Sequence, residues 1–327
     1  MKTHIFILLL ATLTTICSSH LAKRHRLKLL AAKEGSKRRL IRRAVPVVLW
    51  HGMGDCCCNP MSMGAITRLI EKNVNGIYVK SLMLGENIAS DTERGFFANM
   101  NELVELACAQ IRNDSLLSQG YNAVGFSQGG QFLRAVAERC PSPPMRNLIS
   151  VGGQQQGVFG LPYCPGDTIV CNTIRKLLDM GAYTSYVQNN VVQAQYWHDP
   201  MHEDDYRSKN IFLADINNEK NQNKEYKKNL LYLKNLVLIK FLRDQLVIPK
   251  ESSWFGYYKE NDLDTILPIN ETRLYKEYWE KTPLFKDLIG LRKLDETNRL
   301  HFVAVDGQHL QIPPEVFEKE VIEKYLK

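Results

Sequence analysis

Residues 121–133, YNAVGFSQGGQFL, limit the folds open to this chain more than any other stretch. A run of β-forming residues stops at Gly125-Phe126, and an apolar pattern of helical spacing (Phe132, Leu133, Val136) begins after Gln128. Between them stands Gly-x-Ser-x-Gly, a strand-to-helix turn that holds a nucleophile. Such a turn forces its central residue into a strained backbone conformation, and Gly125 and Gly129 lack the Cβ atoms that would collide where strand and helix crowd together. Ser127 Oγ would then stand clear of the sheet. The Gln128 N–H, at the start of the helix, would point toward a developing oxyanion.

The flanking chain supplies the context the motif needs. Ala44 to Trp50 is a continuous apolar run, as expected of a strand buried on both faces. It ends in the glycine-rich loop His51-Gly52-Met53-Gly54-Asp55. Residues 62–75 suit a helix and Ile77-Tyr78-Val79 a strand. A single longer helix is expected over 94–112, with Phe96, Met100, Leu103, Val104, Ala107 and Ile111 as one core-facing stripe. Arg146 to Val151 is the next strand, ending at Gly152-Gly153. Strand and helix alternating from 45 to 151 imply a mostly parallel sheet with helices on both faces, the α/β-hydrolase class of fold. In that fold the loop after an early strand supplies a second oxyanion amide, which makes the Met53 N–H the candidate and leaves His51 as a structural histidine.

The alternation breaks from about 154 to 225, with Pro-Gly loops, a short helix near 172–180 and the aromatics Tyr183, Tyr186, Tyr196 and Trp197. An insert at this place is expected to form a lid or substrate groove. His198 and His202 have a zinc-like spacing, but Pro200 prevents the helix that would bring the rings together, so no metal is expected. Strands follow at Asn235 to Leu242 and His301 to Val305, and a closing helix at 315–326 would turn Phe317, Val321 and Tyr325 inward.

Acyl transfer from a serine needs a base in reach of the nucleophile and an acid to orient that base. The chain order in this fold is serine, acid, histidine, with the last two on loops after late strands. Of the late histidines, His301 opens its strand at the remote end, whereas His309 leaves it where the functional loops gather. Asp244 directly follows the strand at 235–242, while its competitor Asp215 lies in the insert. The expected set is Ser127, Asp244 and His309.

Composition enters through the N-terminus. Residues 1–22 read as a signal peptide, with Lys2, an apolar run from Ile5 to Ile16 and a small-residue exit at Cys17-Ser18-Ser19. No later stretch is long and apolar enough for a membrane span. The next segment, 23–43, carries ten Lys/Arg against Glu34 and reads as a basic extension open to processing, ahead of one domain over 44–327. Setting that segment and Lys2 aside from the 42 basic and 35 acidic residues leaves 31 against 34, about −3, so the body of the chain is no nucleic-acid binder by charge. Seven cysteines remain beyond Cys17, an odd number, and in a secreted chain they argue for disulfides. Cys164 with Cys171 and Cys108 with Cys140 are plausible pairs. A bond within Cys56-Cys57-Cys58 would be strained, because neighbouring Cα atoms lie about 3.8 Å apart. Asn113-Asp114-Ser115 and Asn270-Glu271-Thr272 are glycosylation sequons.

Longer phrases carry a more specific likeness: WHGMGD (50–55), GFSQGGQFLRAV (125–136), ISVGGQQQGVFGLP (149–162), YWHDP (196–200), IFLADIN (211–217), SSWFGYY (252–258) and DGQHLQ (306–311). From about residue 45 to the C-terminus the chain resembles the palmitoyl-protein thioesterases of the lysosomal type 1 family. The resemblance implies an α/β-hydrolase that removes long-chain acyl groups from cysteine thioesters of proteins or peptides, releasing a fatty acid, in the lysosome or along the secretory pathway. It implies Ser127 as nucleophile, Asp244 as acid, His309 as base, and the Met53 and Gln128 amides as oxyanion hole, with no metal or cofactor. It also implies an insert that helps build the acyl-chain groove and the disulfides Cys57–Cys58, Cys108–Cys140 and Cys164–Cys171, leaving Cys56 unpaired. The basic extension, Cys56 and an apparent insertion at Tyr278 to Leu284 depart from the family pattern. A type 2-like thioesterase, a lipase and a non-catalytic lipid-binding relative are the rival readings, and oligomeric state is left open.

Overall fold

The structure, a computed structural model, describes residues 44–160, 169–179, 181–276 and 287–327. The signal peptide, the basic extension, Cys164 and the stretch from Tyr278 to Leu284 lie outside the described residues.

Six strands form one parallel sheet: β1 (Val47–Trp50), β2 (Val79–Ser81), β3 (Tyr121–Phe126), β4 (Met145–Val151), β5 (Asn235–Phe241) and, after a short antiparallel hairpin of β6 (Tyr257–Lys259) with β7 (Asp262–Leu267), β8 (Leu300–Val305). Their spatial order is β2-β1-β3-β4-β5-β8, the arrangement of an α/β hydrolase. The central strands β1, β3, β4 and β5 are apolar on both faces because both faces are covered. In β1, Val48 and Trp50 enter one core and Val47 and Leu49 the other, and β5 divides Leu236 and Leu238 from Val237, Ile239 and Phe241 in the same way. The first core packs under the helices Met100–Asn113 and Gln128–Arg139, with Trp50 and Phe132 rings 3.8 Å apart. The second packs under Met63–Asn73 and the C-terminal helix. Each large apolar side chain so buried contributes roughly 1.5–3 kcal/mol relative to exposure.

Three expectations need correction. The stretch 94–112 is two helices, Ile88–Arg94 and Met100–Asn113: the first ends at Gly95, and Asn99 restarts the chain as N-cap by accepting from the Asn101 N–H. Phe96 therefore leaves the stripe and packs against a separate small core of the insert, with Ile174, Leu178 and Val187. Pairing to β1 starts at the Tyr78 carbonyl, so β2 runs Val79–Ser81 rather than 77–79. The last helix is α-helical only over Pro314–Phe317 and continues as a π-helix over Glu318–Leu326. Its wider turn buries Val321, Ile322 and Leu326 and leaves Tyr325 only partly covered.

The chain leaves β1 toward β2 on one side and returns to β3 on the other. The loops after β1 and β3 therefore diverge at a switch in strand order, the place where parallel α/β sheets open a crevice at their carboxyl ends. Over the crevice lie short helices of the insert, Ile169–Asp179, Ser185–Asn190 and Val192–Gln195. Among the described residues no helix is long and apolar enough to cross a membrane.

Candidate active site

Ser127 sits between β3 and the helix Gln128–Arg139 with φ 53 and ψ −125, a left-handed conformation for a residue with a Cβ. Its neighbours explain why the chain tolerates it. A Cβ on Gly125 would lie 2.2 Å from the Gly129 carbonyl oxygen, and one on Gly129 would lie 2.5 Å from that of Trp50. Only glycine at both positions lets strand, turn and helix approach so closely, and the closeness holds the serine at the tip.

His309 Nε2 lies 2.9 Å from Ser127 Oγ, and His309 Nδ1 lies 2.6 Å from Asp244 Oδ2. Asp244 follows β5 and is buried; its other oxygen accepts from the backbone N–H groups of Leu246 (2.8 Å) and Val247 (3.0 Å). These bonds fix the carboxylate, and the carboxylate fixes the imidazole with its Nδ1 as donor. Nε2 is then the acceptor for the serine hydroxyl. The Phe241 ring stands edge-on at 6.2 Å from the His309 ring. Asp215 is elsewhere, bound to Arg139 at 2.8 Å and to the Tyr226 hydroxyl at 3.0 Å.

Gln128 is the first residue of its helix, so its N–H stands outside the helical ladder. Met53 lies in the loop after β1, whose Gly52 approaches Ser127 closely. Neither amide has a protein acceptor among the described residues. Met53 borders a cavity of about 480 Å³ that also takes in Ser127, the residue before Gln128, with His309, Val158, Trp197, Leu246 and Ile312, a largely apolar lining.

Cys57 and Cys58 form a vicinal disulfide with Cα atoms 3.8 Å apart, and Cys56 is buried and free. Cys108 and Cys140 are bonded, joining Met100–Asn113 to the end of Gln128–Arg139. The Cys164–Cys171 pairing lies outside the described residues. Asn113 and Asn270 are both exposed. His198 and His202 are not brought together: His198 is buried against Glu203, whereas His202 is on the surface beside Asp199. Among the described residues no three His, Cys, Asp or Glu side chains converge as a metal site.

One support was missed. His51 is fully buried, with Nδ1 2.8 Å from the Gly52 carbonyl and Nε2 3.4 Å from Asp91 Oδ2. Asp91 in turn accepts from the N–H groups of Cys57 (2.9 Å) and Leu84 (2.7 Å). Burial opposes its charge, but His51 and these amides hold its carboxyl below the usual carboxylate range. The loop carrying Met53 is thus pinned by a carboxylate from another helix, and no local pattern in the sequence announces that contact.

The family of palmitoyl protein thioesterases matches residues 46–309. Palmitoyl-protein thioesterase 1 of Caenorhabditis elegans is 60% identical over 86% of this chain and 91% of its own length. Palmitoyl-protein thioesterase 3 of Dictyostelium discoideum is 35% identical over 84% and 88%. A lysosomal thioesterase PPT2 homolog of Drosophila melanogaster is 28% identical over 81% and 85%. With a six-stranded hydrolase sheet, a serine at the turn after β3 and matches of this extent, the chain belongs to the palmitoyl-protein thioesterase family.

Proposed function

We propose that the protein hydrolyses long-chain acyl thioesters on cysteines of proteins and peptides through an acyl-enzyme on Ser127. The hydrogen-bonded chain from Asp244 through His309 to Ser127 Oγ, opening on an apolar cavity of about 480 Å³, is the observation that carries this reading. His309 takes the hydroxyl proton as Ser127 attacks the thioester carbonyl. The Met53 and Gln128 amides bind the oxyanion, and the cysteine thiol leaves with the proton from His309. A water, deprotonated by His309, then attacks the acyl-serine and releases the fatty acid. Every proton passes through His309, so the cycle needs no other carrier.

The apolar lining supports a long acyl chain as the portion held by the enzyme while the thiol leaves. The lysosomal names among relatives, together with the N-terminal apolar segment, support delivery through the secretory pathway to the lysosome. The test is turnover of a palmitoylated cysteine peptide at acid and neutral pH, beside short-chain thioesters, palmitoyl-CoA and oxygen esters. The palmitoylated peptide should be the best substrate. Ser127→Ala should lose roughly 10⁴–10⁶ in kcat while staying folded. Near-normal turnover by that variant would end the reading, and preference for oxygen esters would replace it with a lipase.

A further inference from the structure

We propose that Gln193 is a positioning residue for the oxyanion hole, which makes the insert a structural part of the reacting centre as well as a wall of the groove. The inference rests on the reading of the Met53 and Gln128 amides as oxyanion donors.

The two donors come from adjacent segments, but no hydrogen bond joins the Met53 and Gln128 side chains to each other among the described residues. A third segment joins them. The Gly95 carbonyl accepts from Gln128 Nε2 at 3.2 Å and from Gln193 Nε2 at 3.3 Å. Gln193 Nε2 also lies 3.0 Å from Met53 Sδ, a weak acceptor. One buried carboxamide therefore touches the side chain of the first oxyanion residue and shares an acceptor with the side chain of the second. The amide orientation is fixed by its partners: turning it over would set its oxygen against the Gly95 carbonyl.

Gln193 can hold this place because its own helix is strapped down. The helix Val192–Gln195 meets the segment 96–100 through Val192 N–H to the Phe96 carbonyl (3.0 Å), Met100 N–H to Gln195 Oε1 (2.7 Å) and Gln195 Nε2 to the Ala98 carbonyl (2.6 Å). Tyr196, the next residue, lines the cavity and places its hydroxyl 3.5 Å from Gln128 Oε1. Gln193 is 2% exposed and lines the same cavity, and its Oε1 has no partner among the described residues. Leaving a buried acceptor unsatisfied is unfavourable. A glutamine is nonetheless held there by its donor end, the end that reaches Met53 and Gly95. Pure groove lining would be served as well by a methionine.

The experiment compares wild type with Gln193→Met, which keeps the bulk and loses the donor, and Gln193→Glu, whose carboxyl donates only when protonated. Two ligands separate positioning from packing: a palmityl trifluoromethyl ketone, whose adduct with Ser127 carries an oxyanion, and hexadecane, which has no oxygen for the amides and only fills the groove. For Gln193→Met, kcat and affinity for the ketone should both fall about 10- to 100-fold, the scale of a misplaced reacting group, with KM and hexadecane affinity near wild type. Gln193→Glu should recover kcat relative to wild type as pH falls. Equal loss of ketone and hexadecane affinity, or unchanged kcat, would overturn the proposal. These affinities are read on folded protein, so a lower yield of either variant does not obscure them. The Ser127→Ala control separates the failures: if that variant turns over, the reading of the site fails, and if it is dead while Gln193→Met is normal, only the positioning role does.

Discussion

His309 and His198 each meet a carboxylate, and the two pairs are built differently. His309 meets Asp244 through Nδ1 and a serine hydroxyl through Nε2. His198 meets the Gln156 carbonyl through Nδ1 at 2.8 Å and Glu203 through Nε2 at 2.7 Å. A carbonyl and a carboxylate can only accept, so this setting favours a proton on each His198 nitrogen. A hydroxyl can donate, so His309 is free to be neutral and to act as a base. Burial opposes the charge on His198, but Glu203 outweighs it and raises the imidazole above its ordinary value. Tyr206 and Tyr257 stack on the ring at 3.7 and 4.2 Å, and Arg207 occupies the other Glu203 oxygen at 2.8 Å. The pairing itself does not make a catalytic histidine. What the second nitrogen faces decides it.

Substitutions can break this contrast. The largest effect should come from His309→Gln, which removes the base and should lower kcat by roughly 10⁴–10⁶ with little change in Tm. Asp244→Asn should follow at roughly 10⁴-fold, because the ring loses the partner that sets its tautomer. His198→Gln should act on stability instead. It removes the His198 partner of one Glu203 oxygen while Arg207 still holds the other, and should cost about 1–3 kcal/mol in denaturant unfolding, with kcat per folded molecule near wild type. A His198 variant that is stable but inactive would collapse the comparison.

The smallest effect is a pH dependence. The folded value of His198 lies above 6.5, so its stabilisation is complete below 6.5 and is lost as pH rises through that folded value. Burial opposes ionisation of Glu203, but His198 and Arg207 hold it below 4.5, so its stabilisation is complete above 4.5 and is lost as pH falls through its folded value. Together they favour the window between about 4.5 and 6.5. The contribution of this pair to Tm should be greatest there and fall on the alkaline side, and the difference in Tm between wild type and His198→Gln should shrink as pH rises.

The same contrast explains what could be read in advance. The turn around Ser127 is encoded within five residues, and β3, β5 and β8 are apolar runs whose ends locate Ser127, Asp244 and His309. His198 beside Pro200 excluded a helical metal site but gave no hint of Glu203 as partner or of the two tyrosines as a sandwich. Those contacts, like Asp91 beneath the Met53 loop and Gln193 against Gly95, join segments far apart in sequence and leave no period to detect. The break at Gly95 was visible as a glycine followed by the capping Asn99, yet the apolar spacing ran on through Phe96 and concealed it. Cys57–Cys58 shows another limit, since the residues argued for strain and only the family likeness implied the bond.

The most direct test of the account is capture of its intermediate. Enzyme quenched during turnover of a palmitoyl thioester should carry one palmitoyl group, mapped by peptide mass spectrometry to Ser127, and Ser127→Ala should carry none. Steady turnover with no acyl group on Ser127, or with the group on another residue, would contradict it.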